Sequence, residues 1–586
     1  MRQWMVAAKK ADFYAIAEKF HVDPVVARII RNREVIGEKN IRIYLGGNLS
    51  DLSDPHQMKD MDRLVEILAQ KIRKQVHIRI IGDYDVDGVT SSHLFLTALR
   101  RVGAKVDVVI PHRIQDGYGL SLHLLQQAKE DGVDTILTCD NGIAAIDEIA
   151  WAKAQKMTVL VTDHHAVPFE EHEGRRTEKK SLADAVVNPH QQDCGYPYRE
   201  LCGAGVAWNV IRVLYENYDM DKREAEDLLD FVAMATVCDV MSLTGENRIL
   251  VKEGLKRIRH TKNIGLQALM QACNVQPENI SAYHFGYVLG PCVNATGRLD
   301  TARHALRLFE TGQETEAEEI ARDLVDLNQE RKELTLQGVE MAKKLCEEGG
   351  YENDPVLVLF LPDVHESIAG LIAGRIREMY NRPVFVLTRG EEGVKGSGRS
   401  TENYSMYENM CGCAELFTKF GGHPMAAGLS LPEENVEKFR RKINENCPLT
   451  VEEVCPDIHI DMAMPVGYAS TELVHQFALL EPFGKDNPSP LFADRNLSIS
   501  RMWVIGKNRN VLRMSVLSKY GQPVPVIFFG DVETLFAYFT EKFGQEEVEN
   551  ALHGRKNRIL FSMVYTAKID FYQGNENLQL EMKYYR

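Results

Sequence analysis

The sequence predicts an α/β protein in which a parallel-sheet domain over residues 76–312 is joined by a long helix over 313–348 to a smaller α/β domain over 349–453. A β-barrel over 454–586 follows, and residues 1–75 form a helical N-terminal region. Three observations lead to this reading. Between His77 and Pro189, apolar runs that end in polar clusters alternate with helical stretches, the βαβ pattern of a parallel sheet. Gln313 to Glu348 is charged and periodic, with no Pro and no Gly before Gly338, as a connecting helix requires. From Val454 onward the texture changes to short β-like runs separated by turns.

In the first domain the strands are His77–Ile81, Lys105–Ile110, Thr135–Cys139, Met157–Val161 and Ala185–Val187, with helices from Leu94 to Val102 and from Ile143 to Gln155. A helical extension follows: Gly205 to Tyr218, Ala225 to Cys238 and Arg248 to Arg259. Asp239 ends the middle helix of these three, where the helix dipole disfavours negative charge, so the site rather than the helix requires it. The second α/β domain begins with the strand Val356–Leu361, the helix Ser367–Tyr380 and the strand Pro383–Leu387. Two glycine-rich segments follow, a loop over Gly393–Ser400 and Gly421–Gly428. In the barrel the strands are Ile458–Asp461, Leu497–Ile505, Val511–Val516, Pro525–Phe529 and Ile559–Tyr565, with an OB-fold as one candidate.

Composition bounds the function. With 586 residues the chain exceeds what one core can serve, and 44% hydrophobic with 26% charged residues is ordinary for a globular protein. No run approaches the ~18 apolar residues of a membrane span and the start has no secretory signal, so a cytoplasmic protein without membrane association is expected. Eleven cysteines, an odd number without paired C-x-x-C spacing, argue against a disulfide framework and a zinc ribbon. Cys411-Gly412-Cys413 reads as two buried helical thiols. The net charge of −15 speaks against indiscriminate nucleic-acid binding but averages over the whole surface and leaves room for a local basic groove.

The chemistry concentrates at the carboxyl ends of the first sheet. Gly82-Asp83-Tyr84-Asp85-Val86-Asp87-Gly88 places carboxylates at alternate positions, which share a face if the strand continues past its sheet. Acids so crowded repel one another unless a cation lies between them, and a hard divalent metal takes such oxygen ligands. Alone, the triplet also suits a turn or a calcium loop, although it lacks the ligand at the twelfth position of an EF-hand. The neighbouring strand ends carry Asp140-Asn141-Gly142 and Thr162-Asp163-His164-His165, so one crevice gathers Asp83, Asp85, Asp87, Asp140, His164 and His165. His165 is placed to meet a phosphate oxygen or to orient the ligand shell. Arg113, at the end of the second strand, points to the same crevice. In the barrel, Trp503, Lys507, Arg509 and Arg513 interleave an aromatic with cations around the turn Gly506–Asn510, the pattern of a single-strand groove.

With the Asp83–Asp87, Asp140 and Asp163–His165 motifs in this order, the sequence resembles the DHH phosphoesterase superfamily, and Gly421–Gly428 resembles the glycine-histidine motif of its DHHA1 partner domain. Within that superfamily it resembles the RecJ family, whose signatures are similar to Gly290–Leu299 and to Glu481–Pro488, the latter opening an OB domain. The resemblance implies a metal-dependent exonuclease that removes mononucleotides from the 5′ end of single-stranded DNA in repair and recombination, using two divalent ions, Mn2+ or Mg2+. Asp83, Asp85 and Asp140 would hold one ion; Asp87, Asp140, His164 and Asp239 would hold the other, with Asp140 bridging. Asp140, His164 and His165 would be the catalytic set. Arg113, Asn294, Arg298, Ser397, Arg399 and His423 would bind phosphates. Ile81, Cys292 and Val364 depart from the family pattern, with Asp83 supplying the ligand that a histidine at position 81 provides in some DHH families.

Single-stranded DNA is the implied partner, with a single-strand-binding protein and a RecQ-type helicase beside it, and a monomer is expected. Two other readings compete: a DHH phosphodiesterase on short oligoribonucleotides or cyclic dinucleotides, and a catalytically inactive strand-binding scaffold on the same fold.

Overall fold

Ile78–Ile81 is the pivot of a five-stranded sheet in which every neighbouring pair is parallel, ordered Val106–Val109, Ile78–Ile81, Thr135–Cys139, Thr158–Thr162, Ala185–Val187. The computed structural model describes residues 3–113, 116, 119–172, 175–390, 393–506, 510–572 and 574–586. Ile78, Ile80, Ile81, Ile136, Leu137, Val159 and Leu160 are fully buried, as strands covered on both faces must be. The chain leaves the first strand to form the second on one side and the third on the other. That reversal opens a crevice beyond the carboxyl ends of Ile78–Ile81 and Thr135–Cys139.

The acidic motif is not a continued strand. The strand stops at Ile81, and Asp85, in extended backbone, caps the helix Val86–Arg101 by accepting the Gly88 N–H at 3.0 Å. An aspartate at this position satisfies one of the orphan donors of the first turn, so the helix starts well before Leu94. The three acids therefore sit on a loop, a cap and a first helical turn instead of one strand face.

Two compact units make up the chain: residues 52–241 with 249–456, and residues 3–51 with 242–248 and 457–586. In the first unit, the helices Gly203–Asn217, Leu229–Cys238 and Gly290–Leu299 follow the parallel sheet, and Glu314–Glu348 runs unbroken for 35 residues. A second sheet then forms in the order Lys419–Gly422, Ala426–Leu431, Gly393–Arg399, Val384–Gly390, Leu357–Phe360. Gly393–Arg399 is a central strand, paired on both sides, and not the loop its glycines suggest. A Cβ on Gly396 would come within 2.4 Å of the Leu387 side chain, so the glycine is there for packing. Cys411 is exposed at the end of the helix Met406–Cys411, and only Cys413 beyond it is buried.

The second unit is an OB-like barrel. Phe492–Ile505 pairs with Val511–Leu517 on one side and with Leu560–Tyr572 on the other, and the circle closes through Pro523–Phe529 and Asn575–Tyr585. Its core, with Phe492, Met514, Phe539 and Tyr565 at its centre, also takes Val26, Ile29 and Ile30 from the N-terminal helix Pro24–Asn32. Trp4–Val6 adds a parallel strand to Ile458–Ile460, and a buried Arg33–Asp461 pair at 2.8 Å ties the same segment down. Residues 3–51 thus group with the barrel and residues 52–75 with the first sheet. Among the described residues, no helix is long and apolar enough to cross a membrane.

Candidate metal centre

The crevice at the strand-order reversal collects donor atoms from four segments of the chain. Asp83, Asp85 and Asp140 each bring a carboxylate oxygen into one group whose members lie within 4.8 Å of one another. Asp87, His164 and Asp239 form a second such group, and Asp140, His164 and His165 a third. The Nε2 of His164 lies 3.1 Å from Asp140, 3.5 Å from Asp239 and 3.7 Å from Asp87, buried and without a well-directed hydrogen bond to any of them. A ring nitrogen facing three carboxylates fits a cation between them better than any pairing of these groups alone.

Local chain geometry holds each donor in place. Asp87 receives the N–H groups of Gly203 at 2.6 Å and Ala204 at 2.7 Å, the first turn of a helix aimed at the carboxylate. Asp140 turns out of its strand in left-handed backbone, φ 60°, directly against Gly203, where a Cβ would come within 2.6 Å of the Asp140 Cβ. Asp239 is the C-cap of Leu229–Cys238. Asp163 joins none of these donor groups and accepts the N–H groups of Ile143, His164 and His165 as well as the His165 Nδ1–H at 2.8 Å.

Electrostatics separates the acids that face the crevice from the one that braces it. Burial, then the neighbouring Asp85 charge, pushes Asp87 up to about 7. Burial and the surrounding carboxylates hold Asp140 and Asp83 well above the ordinary range. Burial also acts upward on Asp163, but the hydrogen bond and charge of His165 outweigh it and leave this carboxyl below the usual range. Burial, followed by the His165 charge, lowers His164 to about 3, so its ring is a neutral donor. His165 moves the other way, to about 9, because the Asp163 hydrogen bond overcomes burial. Mutually repelling acids around a neutral imidazole make a donor set that divalent ions complete.

Cationic groups flank this cluster. A cavity of about 290 Å³ is lined by Asp83, Asp85, Asp87 and Asp239 together with Arg113, Asn294 and Arg298. A second, of about 510 Å³, shares Tyr84, Arg113 and Arg298 with it and is lined further by Ser397, Arg399, Lys395 and Lys419. Asn294 Oδ1 accepts the Val86 N–H, and Arg298 donates to the Ser367 carbonyl at 2.6 Å. Burial and then the Arg113 charge bring Arg298 down to about 10, and the same two causes lower Arg399. Crowded guanidinium groups of this kind suit an anion, as the acids suit a metal.

Of the residues expected in the site, His423 lies outside it: exposed at the turn of the hairpin Lys419–Leu431, it lines neither cavity. In the barrel, Trp503 and Arg513 are directly opposed across neighbouring strands, while Lys507 and Arg509 lie outside the described residues. Sequence reasoning missed three contributors. Tyr84 lines both cavities with Arg113 over its ring at 4.9 Å, Lys395 lines the second, and Asp163 braces the two histidines. The signal for Tyr84 and Asp163 was their position inside the acidic and histidine motifs; for Lys395 nothing local distinguished it.

Comparison with known proteins places this geometry in context. Residues 77–236 match the DHH family, N-terminal domain, residues 353–447 the DHHA1 domain and residues 460–584 the RecJ OB domain. A single-stranded-DNA-specific exonuclease RecJ of Haemophilus influenzae is 32% identical over 96% of this chain and 96% of its own length. The protein of the same name from Bacillus subtilis is 32% identical over 87% of this chain, which spans 63% of that longer relative. The crystal structure of RecJ in complex with Mn2+ from Thermus thermophilus superposes with a TM-score of 0.81 at 25% identity, covering 100% of this chain and 79% of that one.

Proposed function

Because this chain belongs to the RecJ family of the DHH superfamily, we propose that it is a metal-dependent exonuclease that hydrolyses single-stranded DNA to mononucleotides from the 5′ end. Asp83, Asp85 and Asp140 would hold one divalent ion, and Asp87, His164 and Asp239, together with Asp140, would hold the other. Two Mn2+ or Mg2+ ions, when bound, supply an activated water and stabilise charge on the leaving oxygen. The remaining work falls to the protein. Asp163 fixes the His165 ring and sustains its charge beside Asp140, where it would serve a phosphate oxygen as a donor. Asn294 holds the first turn that carries Asp87, and Arg298 spans both cavities to align the strand.

The observation that carries the reading is the junction of the two cavities at Tyr84, Arg113 and Arg298. A donor cluster suited to metals opens onto a cationic chamber of the size of a terminal nucleotide, which Ser397 and Arg399 line from the far side. Such a chamber suits a terminal phosphate at a strand end, and family membership is the basis for assigning it to the 5′ end. Trp503, Arg513, Lys507 and Arg509 serve as single-strand contacts by stacking and phosphate pairing. The enzyme acts as a cytoplasmic monomer in DNA repair and recombination, beside a single-strand-binding protein and a RecQ-type helicase; family membership supports this setting.

Digestion of single strands labelled at either end, with Mn2+ or Mg2+ and with chelator, tests the proposal. Release of labelled mononucleotide from the 5′ label first, abolished by chelator, is the expected result. Activity confined to dinucleotides would select the short-oligonucleotide phosphodiesterase, and absence of any metal-dependent hydrolysis would select the strand-binding scaffold.

A further inference from the structure

Two tyrosines outside both cavities stand exposed on the same helical run that supplies Asn294 and Arg298. Tyr283 is 62% exposed and Tyr287 72%, and their rings stack with centroids 5.1 Å apart and planes inclined by 23°. Large aromatic surface left in water in this way is costly unless something covers it. The pair belongs to the short helix Ala282–His284 and the π turn Phe285–Leu289, which lead without a break into Gly290–Leu299. π turns of this kind often occur where a helix has been adjusted for function.

The burial pattern shows where the tyrosines point. Along this run Tyr283 and Tyr287 are exposed and Asn294 and Arg298 half-buried, as are His284, Gly286, Val288 and Pro291; the first four recur at intervals of four, seven and four, the spacing of one helix face, while Phe285, Leu289, Cys292 and Val293 are buried. Arg298 lines both cavities, and Asn294 lines only the one that holds the acids. Continued in the same direction, the face reaches Tyr287 after seven more residues, roughly 10 Å at the helical rise. The segment also abuts the metal-side cavity directly: the Cys238 thiol, next to Asp239, donates to the Phe285 carbonyl at 3.3 Å. One line therefore runs from the cationic chamber through the acidic cluster to an open aromatic pair.

We propose that Tyr283 and Tyr287 form a stacking platform for the bases of the single strand downstream of the scissile phosphate. The inference rests on the exonuclease reading, since a 5′ end in the cationic chamber sends the following nucleotides toward the tyrosines. Every base has a π face, so the platform holds the strand without reading its sequence. It has no aromatic to offer a substrate too short to reach it, so it favours long strands over dinucleotides.

The test is a cycle between Tyr283→Ala/Tyr287→Ala and abasic substitutions introduced singly along the first six nucleotides of a 20-nucleotide strand. Affinity is measured by fluorescence anisotropy, and KM and kcat by nucleotide release with Mg2+. Loss of the two rings is expected to weaken binding and raise KM roughly five- to a hundredfold, with kcat changed by less than about twofold. An abasic site that weakens binding to the wild type should have no further effect on the double variant, and Tyr283→Phe/Tyr287→Phe should behave as wild type. Additive losses from the abasic site and the alanines, or wild-type affinity in the alanine variant, would overturn the platform while leaving the exonuclease reading intact. A wild-type protein that degrades no single strand would overturn both. Matching Tm values for the three proteins show that the fold is preserved.

Discussion

Asp163 and His165 are locked side chain to side chain, with Nδ1 of the ring 2.8 Å from Oδ1 of the carboxylate, and the same oxygen accepts the backbone N–H groups of His164 and His165 at 2.7 and 3.0 Å. One buried acid thus fixes the His165 ring and the backbone of both histidines without itself joining any of the donor groups. Asp163→Asn keeps an acceptor but removes the charge that sustains the imidazolium, so kcat should fall about 10- to 100-fold. The pH profile should change with it: His165, held at about 9 by this pairing, should lose its proton at lower pH, and the alkaline limb should move down. Unchanged kcat and an unshifted limb would show that His165 has no part in the reaction.

The acidic cluster is expected to destabilise the metal-free protein. Asp140 is buried with Asp87, Asp85, Asp239 and Asp83 around it, all raising its pKa after burial itself. Asparagine is nearly isosteric and tolerates the left-handed backbone at this position. In chelator, Asp140→Asn should therefore melt a few degrees above wild type, for a relief of roughly 1–2 kcal/mol. Saturating Mn2+ should reverse the order, because wild type gains about 2.7 kcal/mol at a hundredfold excess over Kd and the variant much less. Calorimetric scans with and without metal check both signs, and a variant that melts below wild type in chelator would show that repulsion is not what the crevice stores.

How much of this was legible in the sequence follows from the range over which each signal acts. Alternation of strands and helices is local, so the parallel sheet and the crevice at its carboxyl ends could be read directly, and with them the meeting of Asp83, Asp85, Asp87, Asp140 and His164. The mechanism of that meeting was misread: alternate spacing suggests a strand, but Asp85 next to Gly88 makes a helix cap, and capping wins because the first turn needs an acceptor. Glycines misled at Gly393–Arg399 for the opposite reason, since there they answer to the Leu387 and Leu429 side chains across the sheet, contacts no local window contains. Gly203 against Asp140, and the N-terminal strand Trp4–Val6 beside Ile458–Ile460, are likewise long-range pairings.

A second buried acid, remote from the crevice, gives a pH signature of its own. Asp230 accepts from the Thr261 hydroxyl at 2.6 Å, and burial raises it from 3.8 to about 6. A raised carboxyl favours the protonated folded state, so its contribution to stability is complete below about pH 4 and is lost as pH rises through about 6. A rise of this size corresponds to roughly 3 kcal/mol at most. Asp230→Asn cannot titrate. The difference in unfolding free energy between wild type and variant, from urea melts with saturating Mg2+, should therefore fall between pH 4 and 7 and stay level above. A difference independent of pH would mean that this carboxyl ionises as freely in the fold as in the unfolded chain.

The barrel offers a test that separates charge from stacking. Trp503, 36% exposed, stands directly across from Arg513, and the Arg501 guanidinium lies 5.7 Å from its ring. A cation that pairs with a phosphate of a single strand releases counterions, and its removal should reduce the slope of log K against log salt by about 0.7 per contact. Arg513→Ala should therefore flatten the slope by about 0.7 and Arg501→Ala/Arg513→Ala by about 1.4. Trp503→Ala has no charge to lose: it should lower affinity roughly five- to a hundredfold at every salt concentration and leave the slope as it was. Titration of a fluorescent 30-nucleotide strand across KCl concentrations distinguishes the two. If the double arginine variant gave a line parallel to wild type, these cations would contact no phosphate and the strand would pass the barrel by another face.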